Sequence, residues 1–124
     1  MNTRTRHGGG FALLEIMIVV TIIGMLAAIA IPNFIKARST SQMNACINNL
    51  RQIDEAIQQW AMENKQAPTA PVVFSDLSAY MKNSVICPAG GTTFGNSYTI
   101  VDVSTKPVCQ KVSSTHILPP NTSN

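Results

Sequence analysis

From Phe11 to Ile31 every residue is apolar except Glu15, Thr21 and Gly24. As a helix rising about 1.5 Å per residue, this run is roughly 31 Å long, the hydrocarbon thickness of a bilayer. Pro32 closes it: its ring has no N–H to give and collides with the carbonyl of Ala28, which predicts a kink or local melting there. Beyond Pro32 the pattern changes without an intervening loop. Cys46, Leu50, Ile53, Ile57 and Trp60 follow one another at steps of four and three, with Arg51, Asp54, Glu55, Gln58 and Gln59 between them. That spacing puts the apolar set on one helical face, the face a domain would cover. The two patterns together predict one helix from about Phe11 to about Asn64, flexed near Pro32, apolar all round in its first half (11–31) and amphipathic in its second (32–64).

Pro68 and Pro71 cannot continue a helix and are expected to end it. "SDLSAYMK" reads as a short helix capped by Ser75. Three strand candidates follow, "SVIC" (84–87), "SYTIVDV" (97–103) and "PVCQKV" (107–112), the first two separated by the glycine-rich turn "AGGTTFGN". In the middle candidate Tyr98, Ile100 and Asp102 alternate with Thr99, Val101 and Val103, as when one face packs and the other is wet. The polar tail carries a glycosylation sequon at Asn121-Thr122-Ser123. The expected fold class is α+β: a long N-terminal helix against a small antiparallel sheet, with residues 65–124 as a small globular head.

Composition narrows the function. The chain has 124 residues, 45% hydrophobic and only 12% charged, which suits one small domain carrying a membrane segment. Two of the nine basic residues, Arg4 and Arg6, precede the apolar run and predict that its front faces the cytoplasm. The formal charge is +3, and no basic cluster interleaved with aromatics points to nucleic acid. No nucleophile–base pair, phosphate-binding glycine loop or metal cluster is legible, so an enzyme and a cofactor are not expected. The three cysteines form no CxxC pair and show no Cys/His spacing typical of zinc. Cys46, on the amphipathic stripe, reads as a buried thiol, and His7 and His116 read as isolated.

A secretory signal peptide fits this start poorly, because its apolar region is only about 7–15 residues long and ends at a small-residue cleavage site. A plain membrane anchor fits the span but leaves Glu15 unexplained. An acid at the centre of a span costs about 2.5–3.5 kcal/mol, less near the interface, where the positive end of the helix dipole also favours it. Gly24 and the alanines at 27, 28 and 30 would let a second helix approach closely or ease bending.

"GFALLEIMIVVTIIGMLAAIAIP" resembles the start of type IV pilins and of the pseudopilins of type II secretion systems. Gly10, Phe11, Leu13, Glu15, Gly24 and Pro32 carry the likeness; Ala12 replaces the threonine of many relatives, a conservative change. The resemblance implies residues 1–10 as a leader, cut between Gly10 and Phe11 by a prepilin peptidase, with methylation of the new amine of Phe11. A glycine before the cut suits an extended chain in a narrow cleft. The resemblance further implies pairing of Glu15 with the Phe11 amine of a neighbouring subunit, a homo-oligomeric filament, possible unwinding between Gly24 and Pro32, and an inner-membrane platform and ATPase as partners. A surface pilus and a periplasmic pseudopilus both fit; the alternative from another class is a bitopic, membrane-anchored periplasmic binding module that never assembles.

In a head outside the cytoplasm, a Cys87–Cys109 disulfide is the expected one of three possible pairings, worth about 3 kcal/mol. Major pseudopilins often bind calcium through a carboxylate-rich loop near the C-terminus; here only Asp102 lies beyond Asp76, so that site is not expected.

Overall fold

The computed structural model describes residues 9–82 and 85–120. The leader residues Arg4, Arg6 and His7, Ser84 of the first strand candidate and the Asn121 sequon lie outside these. One helix, α1, runs from Gly9 to Glu63. The chain divides between Arg38 and Ser39 into two units.

In the first unit α1 is apolar and bare. From Phe11 to Arg38 its side chains are exposed, except half-buried Ala27. Thr21 hides its hydroxyl by donating to the carbonyl of Met17, four residues back, at 2.7 Å. The melting expected at Pro32 does not occur: helical structure continues on both sides of the proline. The proline removes one backbone bond, and the intact turns flanking it hold the helix across the gap.

In the second unit Cys46, Leu50, Ile53, Ala56, Ile57 and Ala61 are buried along α1. Trp60 is half-buried, and the buried stripe ends at Ala61 beside it. The helix stops earlier than Pro68. Lys65 adopts φ 51°, Gln66 N donates to Ala61 O (2.9 Å) and Lys65 N to Met62 O (3.4 Å). This paired arrangement around a left-handed residue satisfies the last carbonyls and turns the chain away.

The head contains little regular structure. Helix α2 spans Phe74–Leu77 and α3 spans Phe94–Ser97; β1 (Tyr98–Thr99) and β2 (Val108–Cys109) pair antiparallel, Tyr98 opposite Cys109. Ser75 is not a cap: Val73 occupies that position, its N–H donating to the Asp76 carboxylate at 3.2 Å. The glycine-rich segment is not a bare turn but holds α3, whose start is closed by Thr93 and Asn96 exchanging hydrogen bonds. Two strand candidates shrink to two residues each, and residues 85–87 form no strand. Side chains of α1 replace the missing ladder there. Asn49 Nδ2 donates to Ile86 O at 3.0 Å, and Gln42 Nε2 to Pro88 O at 3.2 Å. The 97–103 segment keeps its alternation through Val101, with Tyr98 buried and Thr99 and Val101 exposed, but Val103 turns inward. Its far end pairs with the chain after α1 through a bridge between Pro71 and Asp102.

Candidate assembly helix and a buried thiol cluster

Two places gather the chemistry: the bare half of α1 and the centre of the head. On the helix, Phe11 is 78% exposed, and large apolar side chains from Leu13 to Ile35 stand open to solvent around the whole circumference. A contiguous apolar surface of this size marks a membrane or protein contact. It is also the one segment among the described residues long and apolar enough to cross a membrane. Glu15 stands exposed four residues after Phe11. A methyl group added at Gly10 or Gly24 would meet nothing within 4 Å, so neither glycine is required by packing within the chain. Gly10, Phe11, Glu15, Gly24 and Pro32 therefore share the first stretch of α1, and each of them is exposed.

In the head, Cys87 and Cys109 bring their sulfurs to 3.6 Å, as thiols. The third thiol, Cys46, and His116 join them: the four candidate ligand atoms lie within 4.8 Å of one another, and all four residues are buried. His116, read from sequence as isolated, places Nδ1 4.0 Å from Cys109 Sγ. Sequence reasoning missed this cluster because α1, the 85–89 loop, β2 and the C-terminal segment each supply one member. The only prior signal was that Cys46 lies on the buried stripe.

The thiols differ in their surroundings. Burial, reinforced by Cys109, pushes the Cys46 thiol up to about 12. Burial also raises Cys87, against an opposing backbone N–H from Ala89. For Cys109 burial acts upward as well, but the N–H groups of Val112 and Lys111 and contact with the Cys46 and Cys87 thiols bring it below its ordinary value. The Tyr98 hydroxyl lies against Cys46 and accepts a hydrogen bond from Asn49 at 2.9 Å.

The prokaryotic N-terminal methylation motif matches residues 5–31. The chain is similar to the type II secretion system core protein G of Escherichia coli, 27% identical over 103 residues, covering 75% of this chain and 71% of that one. It is 30% identical over 106 residues to the type IV narrow pilus major component PilA5 of Thermus thermophilus, covering 86% of this chain and 82% of the relative. A shorter match, 56% identical over 50 residues, joins 40% of the chain to 21% of the type IV major pilin of Myxococcus xanthus. No solved structure matches. With the motif on the bare helix, the α+β head behind it and a relative aligned over most of both chains, this protein belongs to the type IV pilin and pseudopilin family.

Proposed function

We propose that the chain is a structural subunit, not an enzyme, of a type IV pilus-like filament, matured by a prepilin peptidase and polymerised through the first half of α1. The observation that carries this reading is an exposed apolar stretch of α1 with a single carboxylate, Glu15, lying within the match to the methylation motif. The subunit waits in the inner membrane as a single pass with its N-terminus in the cytoplasm. Cleavage after Gly10 frees the amine of Phe11, which is then methylated. Helical Gly10 is easily drawn into an extended form, since glycine costs about 1 kcal/mol in a helix relative to alanine.

An incoming subunit brings a cationic amine into a low-dielectric environment, where an unpaired charge is costly. Glu15 of a subunit already in place neutralises it, and only the axial register that pairs them is favourable. Two different patches of one chain meet in this contact, so it does not close and a filament grows. The exposed apolar side chains then bury against neighbouring helices. Gly24 and Pro32 are the positions where α1 unwinds if neighbours demand it. The inner-membrane platform and the ATPase supply extraction and force.

Glu15→Ala tests the reading. In a filament the alanine variant is processed but absent from sheared fibres, whereas in the membrane-anchored binding module it inserts and functions normally. Wild-type incorporation of the variant would contradict the pairing.

A further inference from the structure

The thiol cluster carries an assignment independent of filament assembly. We propose that Cys46, Cys87, Cys109 and His116 form a tetrahedral site for one zinc ion, which fastens the head to α1.

Geometry is the first support. With zinc–sulfur bonds of about 2.3 Å, a tetrahedral ion holds its sulfurs about 3.8 Å apart. The Cys87 and Cys109 sulfurs lie at 3.6 Å and the Cys109–His116 pair at 4.0 Å, with no separation in the set above 4.8 Å. Small side-chain rotations therefore suffice. Three sulfurs and one imidazole nitrogen are also one of the recurrent donor sets of closed structural zinc sites.

The second support is what surrounds the sulfurs. The Cys87 sulfur faces the N–H of Ala89, the Cys109 sulfur those of Lys111 and Val112, and the Cys46 sulfur the hydroxyl of Tyr98. Outer donors of this kind hold metal-bound thiolates in place and spread their charge. Gly90 and Gly91 shape the turn at Cys87. Gly90 has φ +118°, and a Cβ on Gly91 would stand 2.7 Å from Cys87 N and 2.9 Å from Cys87 O. Gly91 N donates to Cys87 O at 2.8 Å, closing the loop behind the ligand.

The chemistry balances without an oxidant. Three zinc–sulfur bonds and one zinc–nitrogen bond form, neutral His116 gives a lone pair, and three thiol protons pass to solvent. A disulfide between Cys87 and Cys109 instead needs a two-electron acceptor and leaves Cys46 and His116 without a role. A metal also answers a structural need. The head has two-residue strands and a modest core, a size at which folds commonly recruit a metal or cross-links.

The test uses the whole chain, extracted from membranes in detergent with free thiols blocked at lysis, and a parallel unblocked preparation. Elemental analysis of the unblocked protein is expected to give one zinc per chain. After chelation and reduction, Co2+ should restore a thiolate-to-metal charge-transfer band with tetrahedral ligand-field bands, displaced by Zn2+. His116→Ala and Cys46→Ser should each weaken Co2+ binding about tenfold or more. His116→Cys, which keeps four ligands, should retain the band, separating loss of a ligand from loss of the fold. Zinc-free protein with no cobalt band would overturn the site. So would blocked protein in which Cys46 alone is alkylated and a Cys87–Cys109 linked peptide is recovered.

Discussion

Leu50 is fully buried at the centre of the face that α1 presents to the head. Replacing it with alanine removes three carbons, a transfer loss of about 2.4 kcal/mol at about 0.8 kcal/mol per methylene. The cavity left in the buried cluster adds a further term. The total comes to about 3–4 kcal/mol, within the usual range for buried Leu→Ala. A unit of about 86 residues, Ser39–Asn124, has roughly 4–13 kcal/mol to lose. Leu50→Ala therefore removes about a quarter of the stability or more. At a slope of about 1.5 kcal/mol/M, the urea midpoint falls by roughly 2 M. Trp60 is the single tryptophan, half-buried beside this cluster, so its fluorescence follows separation of helix and head directly. Ile22→Ala, on the exposed half of α1, is the control and should leave the midpoint unchanged. A midpoint for Leu50→Ala within about 0.5 M of wild type would refute packing of α1 as the foundation of the head.

Three further expectations follow from other parts of the chain. Gly10→Val should slow removal of the leader, seen as accumulation of uncut chain on gels, while leaving the head midpoint unchanged, since the added atoms meet nothing in the chain; normal processing would count against Gly10 as the cleavage position. Gly91→Ala should cost about 1–3 kcal/mol, because its Cβ presses on Cys87 backbone atoms, and an unaltered urea midpoint would contradict that approach. Ser104 and Thr105 hydrogen bonds hold the Asp102 carboxyl below its ordinary value, so its contribution is present above the unfolded pKa of about 3.9 and is lost as pH falls through the lower folded value. The stability gap between wild type and Asp102→Asn should accordingly narrow below about pH 4; a gap constant between pH 3 and 7 would rule this out.

Much of the first half was legible because periodicity there has one cause at a time. The long apolar run is read from composition and the Cys46–Leu50–Ile53–Ile57 stripe from helical spacing, and both appear where expected. The head was less legible because short segments there are held by tertiary partners. "SVIC" has strand composition, yet the Ile86 carbonyl is taken by the Asn49 side chain of α1 and that of Pro88, just beyond, by Gln42, contacts no local pattern encodes. Val73 caps α2 in place of Ser75 because Asp76 reaches back to its N–H. The end of α1 depends on Lys65 entering the left-handed region, where glycine was the residue to look for. His116 lies seven residues beyond Cys109, too far for a local ligand motif, and only the fold brings the two together with Cys46.

The central claim is that this chain is processed and built into a filament through its N-terminal helix. Its most direct test is the intact mass of the protein in a fraction sheared from its native cells, alongside the inner-membrane fraction. A chain beginning at Phe11 and carrying one added methyl group is the expected result, in the sheared fraction for a surface pilus and in the envelope alone for a pseudopilus. An uncut chain beginning at Met1 in both fractions would contradict the account and leave a membrane-anchored module in its place.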